Sequence, residues 1–311
     1  MKKKVLLIVG PTAVGKTEVS LQLAKLLDSE IVSADSRQVY KYMDIGTAKP
    51  TQEQRRQVPH HFIDIKHPDE YYSSGEYGRE ARDCVDEIFD RGKQPIVVGG
   101  SGLYIRALVD GFFEPKVSDV NIKSDLKKQA ADKGLSAMYE RLKSVDPVTA
   151  NRLHATDTQR ILRALEVFEI TGQPFSRFLE NKPEPASFHP VFCGLSLDRH
   201  QLYSRIESRV DRMFAGGFLD EVKELKSRGY DSNLNALQTV GYKEAFLFLG
   251  GKIGFAEMVQ LIKQKSRNYA KRQLTWFRKD ERIRWLDLSS YESEVTLAKN
   301  ICTAFNNASV N

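Results

Sequence analysis

At 311 residues the chain is long enough for one large domain or two that share a core. Apolar residues make up 41% and charged residues 28%, an ordinary globular mix that excludes wholesale disorder. The net charge of +6 tilts the expected partners toward polyanions, and no apolar run approaches the roughly 20 residues of a membrane helix.

The start, Met1-Lys2-Lys3-Lys4, has the charge of a secretory leader. The apolar stretch behind it, Val5 to Val9, is too short for one and runs into a glycine loop, so export is not expected. Val5 to Val9 reads instead as a buried strand. A helix follows from about Lys16 to Leu27, with Val19, Leu23 and Leu26 or Leu27 on one face. Glu30 to Ser33 reads as a second strand ending at Asp35, and Gln94 to Val98 as a third running into Gly99-Gly100-Ser101-Gly102. Apolar strands separated by helices predict an α/β fold whose parallel sheet is covered on both faces and whose ligands bind at the strands' carboxyl ends.

After Glu114-Pro115 the chain becomes charged and helix-favouring, with turn signals at Lys133-Gly134 and Asp146-Pro147. The run Asn181-Lys182-Pro183-Glu184-Pro185 closes this stretch, and Val191 to Leu197 reads as a strand returning to the sheet. The expected organisation is a core of 1–114 with 191–311 and an inserted all-helical domain of 115–190. Two long helices follow. His200 to Phe214 carries a stripe of Arg205, Arg209 and Arg212 beside its apolar face. Phe255 to Arg278 overlaps a stretch, Met258 to Lys279, that holds seven basic residues and no acidic one. Its Trp276-Phe277 pair reads as a core anchor. Three cysteines without a CxxC pair predict neither disulfides nor structural zinc, which fits a reducing cytoplasm, and Cys84 reads as a packing residue. His60, His61 and His67 with Asp64 fit no common zinc spacing and read as turn or core residues.

Gly10-Pro11-Thr12-Ala13-Val14-Gly15-Lys16-Thr17 matches G-x-x-x-x-G-K-[ST] between a strand and a helix, the context that a P-loop requires. Its glycines let the backbone wrap a phosphate chain, the helix N-terminus adds positive potential, Lys16 supplies a charge, and Thr17 offers a hydroxyl to Mg²⁺. The third strand ends without the acid that usually holds magnesium in a nucleoside triphosphatase, leaving Asp35 and Asp64 as nearby alternatives. ATP hydrolysis is disfavoured, and another diphosphate-bearing substrate becomes attractive. Asp35 is placed either to act as a general base beside the loop or to cap the next turn. Ser101 can donate into the same space or serve only its own turn.

The P-loop run, then Asp35-Ser36-Arg37-Gln38-Val39-Tyr40, Met43 to Pro50, Gly99 to Tyr104, Gln159-Arg160 with Arg163-Ala164-Leu165-Glu166, and Ala270 to Phe277 closely resemble the bacterial tRNA dimethylallyltransferase family, in its order and over most of the chain. Ser101 stands where many members carry Thr. The resemblance implies a P-loop NTPase-like core and transfer of a dimethylallyl group from its diphosphate to the exocyclic amine of the adenosine immediately 3′ of the anticodon. The P-loop then holds pyrophosphate, Asp35 is the base, Ser101 its hydroxyl helper, and Arg209 contacts the pyrophosphate. It implies that Asp35 to Gln38 and Gln159, Arg160, Ile161, Leu162 and Arg163 touch the tRNA. Arg152, Lys271 and Arg272 belong to basic stripes suited to clamping the anticodon stem-loop, or to solvated helix faces. The expected protein is a cytoplasmic monomer needing Mg²⁺ and no membrane. Rival readings are an adenylate prenyltransferase, a P-loop small-molecule kinase and a non-catalytic RNA-binding protein.

Overall fold

A computed structural model describes residues 3–111, 117–179 and 183–309. It divides into two compact units, Met1–Val109 with Ala186–Asn311, and Asp110–Pro185. Several residues named above, Glu114, Pro115, Asn181 and Lys182, lie outside the described residues.

The first unit begins with β1 (Lys4–Val9) and α1 (Lys16–Leu27), then β2 (Ser29–Ser33), α2 (Gln52–Gln57), β3 (His60–His61), α3 (Ser74–Asp90), β4 (Gln94–Gly99) and α4 (Gly102–Val109). In the second unit, α5 (Val120–Lys133), α6 (Leu135–Val145), α7 (Pro147–Arg152), α8 (Thr158–Thr171) and α9 (Phe175–Phe178) form a separate helical cluster. The chain returns to the first unit with β5 (His189–Ser196), α10 (Arg199–Ala215), α11 (Phe218–Ser227), α12 (Tyr242–Leu249), α13 (Phe255–Phe277), β6 (Arg284–Asp287) and α14 (Glu294–Asn307). Ala186 N–H donates to the Val109 carbonyl at 2.8 Å, so 186–190, read from the sequence as the end of the insert, belongs with the first unit.

Six strands form a wholly parallel sheet in the order β3-β2-β4-β1-β5-β6. Strand β1 shows why its sequence is continuously apolar. Val5, Leu7 and Val9 enter one core cluster, while Leu6 and Ile8 enter the other, and all five are fully buried. The first cluster includes Tyr77, Ala81 and Val85 of α3; the second includes Val19 and Leu23 of α1 and Leu297 and Ile301 of α14. Side chains of alternate parity point to opposite faces of a strand, so one short run serves both layers.

The strand order brings β4 between β1 and β2, with Val9 beside Gly99 and Ser33 beside Val98. The loop after β4 therefore touches both the loop after β1 and the loop after β2. The approach is close: a Cβ on Gly99 would lie 2.1 Å from the Ala34 carbonyl oxygen, so no larger residue fits there.

The helical unit has its own small core of Leu126, Met138, Leu142, Ala150, Ile161, Ala164 and Leu165. At its centre Glu166, only 2% exposed, accepts from Arg163 Nη1 at 2.9 Å and from the Asp119 backbone N–H at 3.2 Å. Burying that carboxylate is tolerable because it is paired and hydrogen-bonded.

Candidate active site

The P-loop leaves β1 at Val9 and feeds α1. Gly15 ends the loop with φ +104°, and Ala13 takes φ +64°, a left-handed conformation that costs an alanine about 1–3 kcal/mol. Thr12 is held just before that strained residue. Its hydroxyl accepts from Arg209 Nη1 at 2.7 Å, and its N–H donates to Gln273 Oε1 at 2.8 Å. Lys16 Nζ donates to the carbonyls of Gly10 (3.1 Å) and Pro11 (2.9 Å).

A cavity of about 650 Å³ opens at the carboxyl ends of the strands. Thr12, Lys16 and Thr17 line one side, Asp35 and Gln38 another, and Arg205, Arg209 and Arg212 a third. The arginine stripe of α10 thus faces the P-loop. Burial pushes the Lys16 ammonium down to about 8, a fall that the Asp35 carboxylate partly opposes and Arg209 reinforces. Burial likewise lowers Arg209, again opposed by Asp35, and raises the Tyr269 phenol, a cavity-wall residue, to about 12. Cationic groups in a cleft are the chemistry of a site for a polyanion.

Asp35 takes the capping role that the sequence left open while also facing the cavity. Its Oδ1 accepts the backbone N–H of Arg37 at 2.9 Å and of Gln38 at 3.4 Å, capping the turn after β2. Among the described residues Oδ2 accepts no protein hydrogen bond, and the residue lines the cavity. A carboxylate fixed through one oxygen keeps the other for a proton.

Ser101 differs from expectation. It accepts from the Ser36 N–H at 3.0 Å and donates to the Ser36 hydroxyl at 3.2 Å, while Gly100 rather than Ser101 lines the cavity. Its hydroxyl therefore holds the turn that carries Asp35. Arg37 and Gln38 are also engaged within the fold: Arg37 Nη1 donates to the Asn235 carbonyl at 2.7 Å, and Gln38 Nε2 to the carbonyls of Thr47 (3.3 Å) and Ala48 (3.2 Å).

Within the helical unit, Gln159 and Arg160 are exposed at the start of α8, as is Arg152 at the end of α7. Ile161 is fully buried and the partly buried Leu162 packs against the same core, so both side chains serve folding. Arg163 is committed to Glu166 and to the Val117 carbonyl.

The basic stripe of α13 divides in two. Lys263 pairs with Asp211 at 2.7 Å, Arg267 with Glu207 at 2.7 Å and Lys265 with Glu244 at 2.8 Å, fastening α13 to α10 and α12. Lys271 and Arg272 remain exposed. Phe277 is a core residue, whereas Trp276 is 39% exposed and lies over Gly102, so the expected pair of anchors is one anchor. Consecutive helical residues point about 100° apart and do not share a face.

The histidines are accounted for by protein contacts. His61 Nε2 meets Glu30 at 2.7 Å, His60 Nδ1 meets the Val58 carbonyl at 2.7 Å, and His67 Nε2 meets Lys41 at 3.2 Å. Among the described residues no group of three His, Cys, Asp or Glu is placed to hold a metal, and no helix is long and apolar enough to cross a membrane. Cys84 packs against the main core, and burial lifts its thiol to about 12.

Two features escaped sequence reasoning. Gln273 reaches from near the C-terminal end of α13 to the P-loop. Glu221, on α11, accepts the consecutive backbone N–H groups of Asp44, Ile45 and Gly46 at 2.8, 2.6 and 3.1 Å, and the Tyr242 hydroxyl at 2.6 Å. That loop supplies Ile45, Thr47 and Ala48 to the cavity wall. Neither partner pair has a spacing signature, though the Met43 to Pro50 run stood out as a motif.

A model of the IPP transferase family matches residues 38–280. The tRNA dimethylallyltransferases of Alkaliphilus oremlandii and Carboxydothermus hydrogenoformans are 45% identical over 306 residues and 46% over 305, spanning 98% and 97% of both chains. Among solved structures, the tRNA isopentenylpyrophosphate transferase of Bacillus halodurans superposes with a TM-score of 0.71 at 38% identity, covering 98% of this chain and 97% of that one. A eukaryotic dimethylallyltransferase acting on tRNA gives 0.82 at 29% identity, with 98% of this chain and 79% of that one covered. With a family match over most of its length and relatives similar from end to end, the chain belongs to the IPP transferase family.

Proposed function

We propose that the protein is a cytoplasmic tRNA dimethylallyltransferase, moving a dimethylallyl group from dimethylallyl diphosphate to N6 of the adenosine immediately 3′ of the anticodon and releasing pyrophosphate. The observation that carries this reading is the placement of Asp35, one carboxylate oxygen uncommitted, on the wall of the cavity that the P-loop and three arginines line. The names of the full-length relatives agree with it.

An adenine amine is a weak nucleophile because its lone pair is delocalised into the ring. As its nitrogen bonds to the allylic carbon, Asp35 Oδ2 accepts the amine proton, which lowers the barrier. The C–O bond to the diphosphate breaks in the same direction, and negative charge grows on the leaving group. Loop N–H groups, Lys16 and Arg209 face that charge, and they stabilise it more as the bond opens. The Thr17 hydroxyl lines the cavity and makes no hydrogen bond to the protein among the described residues. It fits a magnesium ion, which takes few protein ligands alongside phosphate oxygens and would neutralise part of the diphosphate charge.

The test is incubation of the protein with dimethylallyl diphosphate, magnesium and unmodified tRNA, followed by mass analysis of the nucleosides. Dimethylallyladenosine beside the anticodon is expected. Preferential prenylation of free AMP would favour the adenylate reading instead, and phosphoryl transfer from ATP a kinase. Asp35→Asn should lower kcat by roughly 10²- to 10⁴-fold while leaving tRNA retention near wild type. An unchanged rate would remove Asp35 from the chemistry.

A further inference from the structure

Gln273 is 6% exposed near the C-terminal end of a long helix, yet both ends of its amide are used. Oε1 accepts the Thr12 N–H at 2.8 Å, and Nε2 donates to the Gly100 carbonyl at 2.9 Å. It thereby joins the loop after β1 to the loop after β4. Only a side chain that presents a donor and an acceptor from one terminus can satisfy an N–H and a C=O together. Gly100 is fitted to it, because a Cβ there would come within 2.2 Å of Nε2.

The bridge bears on the loop at its most demanding point. Thr12 precedes the left-handed Ala13, and an unfavourable backbone conformation persists only where its surroundings over-determine it. Gln273 fixes the Thr12 amide, and Arg209 fixes the Thr12 hydroxyl. Four residues before Gln273 on the same face of α13, Tyr269 lines the cavity. The helix itself is fastened to α10, the bearer of Arg205, Arg209 and Arg212, through the Lys263–Asp211 and Arg267–Glu207 pairs.

We propose that Gln273 is a positioning residue that holds the P-loop in its anion-binding shape. Its side chain borders the cavity, but both of its polar atoms are spent on the Thr12 N–H and the Gly100 carbonyl, so its effect passes through the path of the loop. The inference rests on the P-loop being the diphosphate site of the proposed reaction, and it needs nothing about the acceptor. Loss of the bridge weakens the donor and leaves tRNA recognition alone.

Two variants separate this role from simple packing. Gln273→Met keeps the length and volume and removes both polar atoms. Gln273→Glu keeps the acceptor for Thr12 but, when ionised, sets a negative oxygen against the Gly100 carbonyl; protonation restores a donor. With folding checked by thermal melting, Gln273→Met should weaken binding of inorganic pyrophosphate roughly tenfold at every pH and raise KM for dimethylallyl diphosphate but not for tRNA. Burial at this 6% exposed position raises the new carboxyl above its usual value of about 4.3, so the affinity deficit of Gln273→Glu relative to wild type should shrink as pH is lowered from about 8 to about 4.5. Pyrophosphate affinity within about twofold of wild type in Gln273→Met would overturn the proposal. So would a pH-independent deficit in Gln273→Glu, or an equal rise in both KM values. Pyrophosphate binding is read without turnover, so a protein that binds it in this manner yet transfers no prenyl group would sink only the proposed reaction.

Discussion

Lys16 meets opposing demands at the scale of a single side chain. A phosphate site needs its charge, while burial lowers its pKa to about 8, so the free protein begins to lose that charge just above neutral pH. A bound anion favours the charged form, and by linkage its affinity must fall as pH rises through that value. Pyrophosphate gains charge over the same range, which pulls the other way, so the informative quantity is the affinity ratio of wild type to Lys16→Met. That ratio should decline as pH goes from roughly 7 to roughly 9, by up to about tenfold per unit above the pKa. A flat ratio in titration calorimetry would show that Lys16 does not titrate there. Lys16 and Thr17 were legible because the P-loop is contiguous: eight residues of chain fix the turn, the helix start and the charge together. Gln273 was not, since a glutamine inside a helical pattern carries no sign that it bonds a backbone amide 261 positions away.

Among elements, the same distinction separates what the sequence reveals from what it hides. The central strands β1, β2 and β4 stand out because burial on both faces demands unbroken apolar runs. The sheet's edges do not, because β3 has two residues and β6 four, two of them exposed. The basic stripe of α13 was visible as a stripe, but composition cannot say that Lys263, Lys265 and Arg267 face acids on neighbouring helices while Lys271 and Arg272 face solvent. Glu221 is the clearest case of an element acting through a loop. It gathers three successive N–H groups and the hydroxyl of the fully buried Tyr242 onto one carboxylate. Glu221→Ala should cost about 1–2 kcal/mol, chiefly for stranding the hydroxyl of the buried Tyr242, and free the partly exposed Asp44–Gly46 backbone. Faster hydrogen exchange at those three amides and a higher KM for the diphosphate donor are the expected readouts. Unaltered exchange would mean that the loop is held by something else.

For the molecule as a whole, the net charge of +6 is too small to argue from by itself, and its distribution decides what it does. Three arginines line the cavity and three cations of α13 are spent on ion pairs between helices, which leaves the Lys271–Arg272 pair and Arg160, whose side chain is 71% exposed although it meets Asp157 at 3.4 Å, as candidates for an RNA backbone. A cation that neutralises a phosphate displaces a condensed counterion, so tRNA affinity should fall linearly in log–log terms as salt is raised from about 50 to about 200 mM. Arg160→Ala, Lys271→Ala and Arg272→Ala should each flatten that slope by somewhat less than one unit and weaken tRNAs of different sequence alike. Lys263→Ala is the contrast, because its ammonium already belongs to Asp211; it should lower thermal stability slightly and leave the salt slope alone. Filter binding across a salt series decides the matter: equal slopes for all four variants would show that the exposed cations are solvated surface, and that the tRNA is gripped elsewhere.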